Sequence, residues 1–178
     1  LAHNGVLFLD ELPEFARDVL EVLREPLESG RILISRAAQQ AEFPARFQLV
    51  CAMNPCPCGR GGETSGECRC SADQVRRYRD RVSGPLLDRI DLQVEVPHPP
   101  SGALRPGRAL GEDTAAVRAR VDRARARQLE RSGQLNANLD TRGVARHCDL
   151  PEQLWDVLDR AVKRFRLSPR ACHRILKV

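Results

Sequence analysis

The 178-residue sequence has few aromatic residues, which make up 4% of it. It contains no run of 18 or more apolar residues, so it has no transmembrane helix, and it does not open with a signal peptide. Its 42% apolar and 30% charged residues exclude a disordered or collagen-like chain. We therefore expect a globular, cytoplasmic protein that makes no membrane contact and is long enough to bury a core.

Lysine is also scarce, with two among the 29 basic residues, and the charge is unevenly distributed. The net charge is −3 over residues 1–97 and +8 over residues 98–178. A basic half favours contact with a polyanion such as nucleic acid or a nucleotide, whereas a solvated, arginine-rich helical surface has the same composition. Charge alone leaves both interpretations open.

The first 97 residues alternate between strand and helix patterns. Continuous apolar runs over 5–9 and 47–53 predict buried strands of a parallel sheet. Helical spacing predicts a helix over 14–28 that kinks or ends near Pro26. Residues 31–36 and 40–43 have the pattern of a hairpin. Further along, we expect a basic helix over 74–81, a short turn or helix over 86–89 and a strand over 91–96.

The rest of the chain is helical only. Residues 98–112 are rich in proline and glycine and predict a linker. Helices are then expected over 113–131, 141–147 and 151–165 and from residue 168 onward. The predicted organisation is thus an α/β domain over 1–97 and an all-α domain over 113–178, joined by the linker.

Tyr78 lies among arginines in the first domain. For this residue, packing in the core is favoured over stacking on a nucleic-acid base.

Four of the seven cysteines form two close pairs, Cys56 with Cys58 and Cys68 with Cys70. Because no secretion signal is present, disulfides are disfavoured and metal ligation by thiolates becomes the better hypothesis. Four thiolates can close a tetrahedral structural Zn²⁺ site, and a metal can organise a glycine-rich loop that has no core. The C-x-C spacing is tighter than the usual C-x₂₋₄-C, so free thiols and disulfide or redox chemistry stay open as alternatives.

Acidic residues follow the first predicted strand directly. An apolar strand that ends in Asp10 and Glu11 is the Walker B arrangement of a P-loop ATPase, in which the aspartate holds Mg²⁺ and the glutamate polarises the attacking water. A plain acidic pair at a strand end has the same pattern. Asn54 ends the second strand and could orient the same water. Arg89 is expected on an exposed turn, from which it could reach a neighbouring subunit's phosphate.

These motifs occur in the order found in a known family. Residues 5–15, 43–47, 52–59 and 83–91 resemble the magnesium-chelatase-like AAA+ family of bacteria, of the ComM/YifB type. Residues 167–176 resemble the C-terminal lid of that family. The string Asn-Pro-Cys-Pro-Cys-Gly over 54–59 is the most specific part of the resemblance, which covers nearly the whole chain.

The resemblance implies a partial AAA+ core, with parallel strands, helices and a hairpin insertion, followed by an all-α lid. It also implies a hexameric, ATP-driven and Mg²⁺-dependent motor that acts as a DNA helicase in branch migration during natural transformation. The roles that it implies are the Walker B pair for Asp10 and Glu11, sensor 1 for Asn54, the arginine finger for Arg89, sensor 2 for Arg170 with Arg174 as the fallback, and DNA contact at the pore for Arg36 in the hairpin.

The sequence departs from the family pattern in one respect. It contains no Gly-x-x-x-x-Gly-Lys-Ser/Thr, the Walker A loop that cradles the phosphates. We expect that loop to lie upstream, the chain to be a fragment truncated at both ends, and the fragment alone not to hydrolyse ATP.

Two other functions stay open at this point. One is a magnesium-chelatase motor subunit that drives metal insertion into protoporphyrin, against which the cysteine loop and the basic lid argue. The other is a non-catalytic, zinc-stapled DNA-binding module. The ordered set of Asp10, Glu11, Asn54, Arg89 and Arg170 argues against that module.

Overall fold

The computed structural model describes residues 1–36, 39–61, 68–97 and 111–178. They form two units, Leu1–Ile90, the α/β unit, and Asp91–Val178, the helical unit. The α/β unit contains β1 (Val6–Leu9), α1 (Arg17–Val22), α2 (Arg24–Ser29), β2 (Arg31–Arg36), β3 (Gln39–Pro44), β4 (Gln48–Cys51), α3 (Ala72–Arg79) and α4 (Gly84–Leu87). The helical unit contains α5 (Thr114–Ser132), α6 (Thr141–His147), α7 (Glu152–Phe165) and α8 (Pro169–Lys177).

Strands β1 and β4 are adjacent and parallel, and their register pairs Leu9 with Cys51. One face of this pair is half-buried, whereas Phe8 on the other face is 58% exposed. Apolar side chains on both faces are typical of a strand in a parallel sheet. The two parallel strands predicted over 5–9 and 47–53 are thus confirmed as Val6–Leu9 and Gln48–Cys51, and with them the α/β class of this part of the chain, but their predicted burial is wrong for one face, where Val6 and Val50 are also exposed.

Strands β2 and β3 form the predicted antiparallel hairpin between β1 and β4 in the chain. Its base is closed where the Ala45 N–H donates to the Gly30 carbonyl at 2.8 Å. Gly30 ends α2 with a φ of 71°, which glycine adopts without a steric penalty. A Cβ at this position would also lie 2.9 Å from Cγ of Arg46, so glycine fits both requirements.

The helix predicted over 14–28 is divided into three shorter pieces. A 3₁₀ turn covers Leu12–Glu14, and Leu23 separates α1 from α2. The break comes before Pro26 because proline cannot donate the hydrogen bond that would continue α1 into α2. Within the first turn of α2, that missing donor costs nothing.

The core of the α/β unit is small and lies directly behind the strand ends. Leu12, Leu20, Val82 and Leu86 are almost fully buried there. Each such side chain contributes about 1.5–3 kcal/mol when it is removed from water. The core therefore fixes the segment after β1 against α1 and α4. It also fixes the positions of the residues that flank this segment.

In the helical unit, side-chain caps set the helix starts that the sequence predicts. Asp113 accepts from the Ala116 N–H at 2.7 Å at the start of α5, and Ser168 caps α8 in the same way. Gly133, with a φ of 69°, ends α5. None of the helices in the described ranges combines the length and the apolar character needed to cross a membrane.

Two predictions about the middle of the chain have different outcomes. The strand predicted over 91–96 is wrong, because Leu92, Val94 and Val96 are exposed and pair with no strand in the described part of the chain. Alternation alone does not make a strand without a partner that accepts its hydrogen bonds.

The linker predicted over 98–112 falls mostly on residues 98–110, outside the described residues, so the domain boundaries at 97 and 113 stay a prediction.

Candidate functional site

Polar side chains follow both parallel strands at the same edge of the sheet. Beyond the strands the backbone pairing continues, since the Ala52 N–H donates to the Leu9 carbonyl at 2.9 Å and the Leu12 N–H donates to the Ala52 carbonyl at 3.0 Å. Asp10 and Glu11 lie between these two hydrogen bonds. Asn54 follows Ala52 by two residues, so the three candidate residues belong to the carboxyl edge, where ligands bind in open α/β sheets.

The backbone of Glu11 is in the left-handed region, with φ 51° and ψ 46°. For a residue with a side chain this conformation costs about 1–2 kcal/mol. It is accompanied by a hydrogen bond from the Glu11 N–H to Oδ1 of Asp10 at 2.9 Å, which orients the Asp10 carboxylate. Both residues are exposed. Exposed carboxylate oxygens at a strand end are hard ligands that suit Mg²⁺.

Tyr78 supports the loop that carries Asn54. Its side chain, at the end of α3, is 5% exposed, and its hydroxyl lies near the backbone N–H of Asn54. Burial raises the pKa of Tyr78, and the negative charge of Glu14 adds to that effect. The packing role predicted for this tyrosine thus agrees with its burial. Sequence reasoning missed its contact with Asn54, because nothing in the local pattern shows where a hydroxyl points.

Two arginines near the same end of α3 hold backbone on either side of the candidate site. Nη2 of Arg79 donates to the Pro55 carbonyl at 3.4 Å. Nη1 of Arg81 donates to the Pro13 carbonyl at 3.3 Å and pairs with Glu14 at 3.0 Å. The segments after β1 and after β4 are therefore both held by arginines at or just beyond the C-terminal end of α3. The basic run was visible in the sequence, but its carbonyl partners were not.

Arg89 is not on the exposed turn that the sequence predicted. Its side chain is 8% exposed, and its Nη2 pairs with Oε2 of Glu28 at 2.5 Å. Its Nη1 donates to the Pro85 carbonyl at 2.6 Å. The turn is tucked against α2 because Leu86, one turn earlier, enters the core. Arg89 reaches solvent through an open groove of about 450 Å³ that is also lined by Arg24 and Ser29.

The four clustered cysteines lie close together, between Asn54 and α3. Their Sγ atoms all lie within 4.8 Å of one another, and Cys56 is fully buried. A backbone hydrogen bond from Arg60 lowers the pKa of Cys58 to about 6. The hydrogen bond with Cys58 raises the pKa of Cys70 to about 12. None of the four forms a disulfide with another described cysteine, and residues 62–67 of the loop lie outside the described part.

The remaining candidate residues lie elsewhere. Arg170 is exposed in the first turn of α8, within the helical unit. Arg174, the fallback, is half-buried and pairs through Nε with Asp91 of the same unit. Arg36 ends β2 opposite Gln39, and its side chain lies outside the described part. The roles predicted for Arg36 and Arg170 stay predictions.

Comparison with known proteins gives two family matches and several long relatives. A family model described as magnesium chelatase, subunit ChlI, matches residues 1–104, and one for the C-terminal part of that subunit matches residues 111–178. The chain is 52% identical over 178 residues to the competence protein ComM of Haemophilus influenzae. It is 49% identical over 180 residues to the uncharacterized protein YifB of Escherichia coli. Each alignment covers the whole chain and 35% of the relative.

Proposed function

The chain belongs to the magnesium chelatase ChlI-like family, of the ComM/YifB type, and on this premise we propose that it is part of an ATP-driven DNA motor. The motor is a hexameric ring, and its activity is DNA-dependent ATP hydrolysis coupled to strand displacement or branch migration. Because the chain spans 35% of the length of these relatives, this function is proposed for the whole protein that contains it.

The proposal is carried by the shared sheet edge. Two carboxylates follow β1 and an amide side chain follows the adjacent parallel strand β4. An acidic pair at a strand end is common by itself. An acidic pair next to an amide, on neighbouring strands of an open parallel sheet, is the arrangement that phosphoryl transfer needs for a metal ligand, a base and a water-orienting group.

In this proposal, Asp10 holds Mg²⁺, which when bound neutralises charge on the ATP phosphates. Glu11 accepts a proton from the attacking water, and its exposed carboxylate is free of the core for that task. The Asn54 side chain orients the same water. Its backbone lies near the buried Tyr78 hydroxyl and is followed by Pro55, whose carbonyl accepts from Arg79, so little reorganisation is needed when substrate arrives.

Arg89 serves the neighbouring subunit. A guanidinium that stabilises charge developing on the γ-phosphoryl group is most effective where water is excluded. The burial of the Arg89 side chain provides that environment, and the groove beside it gives a partner access. When a neighbour's phosphate arrives, it replaces Glu28 as the anion that faces Arg89. Arg170 reads the same phosphate from the lid.

DNA binds in the ring's pore through the β2–β3 hairpin, with Arg36 as the contact at its end. The excess positive charge of residues 98–178 adds a second, non-specific attraction to phosphates. The name of the Haemophilus relative, a competence protein, agrees with a role in processing incoming DNA.

The test is ATP hydrolysis by the full-length protein, measured without DNA and with single-stranded and branched DNA. We expect stimulation by DNA in the wild type and its loss in Glu11→Gln. Asp18→Asn is the matched control, because Asp18 is an exposed carboxylate on α1. Its variant should hydrolyse ATP normally.

Two other outcomes would overturn the proposal in different ways. Hydrolysis that is indifferent to DNA would favour a chelatase-type motor that remodels another substrate. No hydrolysis at all in the wild type, together with DNA binding, would favour a non-catalytic binding module.

A further inference from the structure

The spacing of the cysteine sulfurs matches a single tetrahedral ion. Sγ of Cys56 lies 3.3 Å from that of Cys58 and 3.7 Å from that of Cys68, and the Cys58 and Cys68 sulfurs are 3.7 Å apart. Four thiolates at about 2.3 Å from one Zn²⁺ have sulfurs about 3.8 Å apart. The set therefore needs little movement to close around one ion.

The cluster also lies at a junction in the chain. Cys56 and Cys58 come directly after Asn54 and Pro55, whereas Cys70 comes directly before Ser71, the residue that caps α3. Ser71 Oγ accepts from the Gln74 N–H at 3.2 Å, and Gln74 Oε1 accepts from the Ser71 N–H at 2.8 Å, so the helix start is well defined. One half of the ligand set is thus attached to the loop of Asn54 and the other half to α3.

From this geometry we propose that Cys56, Cys58, Cys68 and Cys70 bind one Zn²⁺, and that the ion joins the Asn54 loop to the start of α3. The other end of α3 already holds that loop through Tyr78 and Arg79. The ion closes the remaining side, so the backbone of Asn54 is held from two directions. The effect of the ion on ATP hydrolysis rests on the proposed function, whereas the binding of the ion does not.

The local packing favours a closed structural site. Cys56 is fully buried although the loop around it has almost no apolar side chains to form a core. A Cβ on Gly61 would lie 3.0 Å from the Cys56 sulfur, so the loop backbone approaches that sulfur closely. Four thiolate ligands complete the coordination of Zn²⁺, so no position is left for catalysis.

The experiment begins with metal content in the full-length protein, purified without chelators or a metal-binding tag. We expect about one zinc per chain in the wild type and a loss of at least about tenfold in the double variant Cys58→Ser/Cys68→Ser. Cys148→Ser is the matched control, because Cys148 lies outside the cluster at the end of α6. It should keep its zinc.

Cobalt replacement identifies the ligands. The Co²⁺-loaded wild type should show the charge-transfer and d–d absorption of tetrahedral cobalt thiolate, and the double variant should not. Absence of zinc from the wild type, iron with sulfide in its place, or full zinc in the double variant would each overturn the site.

Hydrogen exchange tests the junction without any measurement of ATP hydrolysis. In the double variant, amides over residues 52–61 and 71–81 should exchange at least about tenfold faster than in the wild type. Amides of the β2–β3 hairpin should be unchanged, which shows that the unit is still folded. Loss of zinc with unchanged exchange over 52–61 would overturn the connection to Asn54 and leave the metal site in place.

Discussion

The guanidinium of Arg89 and the carboxylate of Glu28 form an ion pair, with Nη2 and Oε2 2.5 Å apart. The two residues are 61 positions apart in the chain and are brought together because α2 and α4 share the core behind the sheet edge. The arginine is buried and the glutamate is half-exposed. The pair therefore gives the arginine an anionic partner that a solvent-borne group can replace.

Glu28→Gln should lower the stability of the protein by about 1–2 kcal/mol, because the buried guanidinium loses a charge-assisted hydrogen bond. Thermal unfolding of the full-length protein measures the loss. Glu25→Gln on the same helix is the control, since Glu25 is exposed. Equal melting temperatures for the two variants would show that the pair contributes nothing.

Arg89→Ala and Glu11→Gln should each abolish hydrolysis alone and restore part of it when mixed. If Arg89 acts on a neighbour's nucleotide, a ring that contains both variants has some interfaces with an intact Glu11 on one side and an intact Arg89 on the other. When equal amounts of the two variants assemble at random, about a quarter of the interfaces have an intact Glu11 on one side and an intact Arg89 on the other. Hydrolysis by re-formed mixed rings is the measurement, and no recovery would contradict action in trans.

Glu11→Gly and Glu11→Gln should differ in stability while sharing the loss of hydrolysis. Glycine adopts the left-handed conformation at this position without penalty, so Glu11→Gly should be more stable than the wild type by about 1 kcal/mol. Glutamine keeps the strained backbone and should leave the melting temperature unchanged. A stabilising effect of glutamine equal to that of glycine would mean that charge, not backbone strain, is relieved.

Tyr78→Phe should cost about 1 kcal/mol near neutral pH, because the buried hydroxyl near the backbone N–H of Asn54 is lost. Burial raises the folded-state pKa of Tyr78 above its unfolded value of about 10. The stability that comes from the protonated tyrosine is thus complete below the unfolded pKa and is lost as the pH rises through the folded pKa.

Unfolding measurements at about pH 8 and about pH 11 check this prediction. The advantage of the wild type over Tyr78→Phe should shrink at the higher pH. An advantage that grows with pH would contradict a raised pKa.

The sequence predicted those elements whose signals are local. β1 and β4 are short apolar runs, the hairpin follows a glycine that ends α2, and helices of the helical unit start at capping residues such as Asp113 and Ser168. The approximate position of the candidate site could also be predicted, because residues that follow adjacent parallel strands lie at the same edge of the sheet. These are properties of neighbouring residues and of strand order.

What the sequence did not predict depends on distant contacts. Arg89 has the pattern of an exposed turn, and its burial depends on Glu28, 61 residues away. Residues 91–96 alternate like a strand but have no partner strand in the described part of the chain. The roles of Tyr78, Arg79 and Arg81 depend on backbone groups of other segments, which no local pattern encodes.

The base of the hairpin and the candidate site lie at opposite ends of β4. At one end, the Ala45 N–H donates to the Gly30 carbonyl and the Gln48 N–H to the Gly5 carbonyl. At the other end, the chain reaches Asn54. β4 has four residues and spans about 13 Å, and an extended strand is already close to its full length. It therefore has little room to lengthen, so a displacement of the hairpin base along the strand would move Asn54 as well, and in the proposed motor this would couple the hairpin to the candidate site within one protomer.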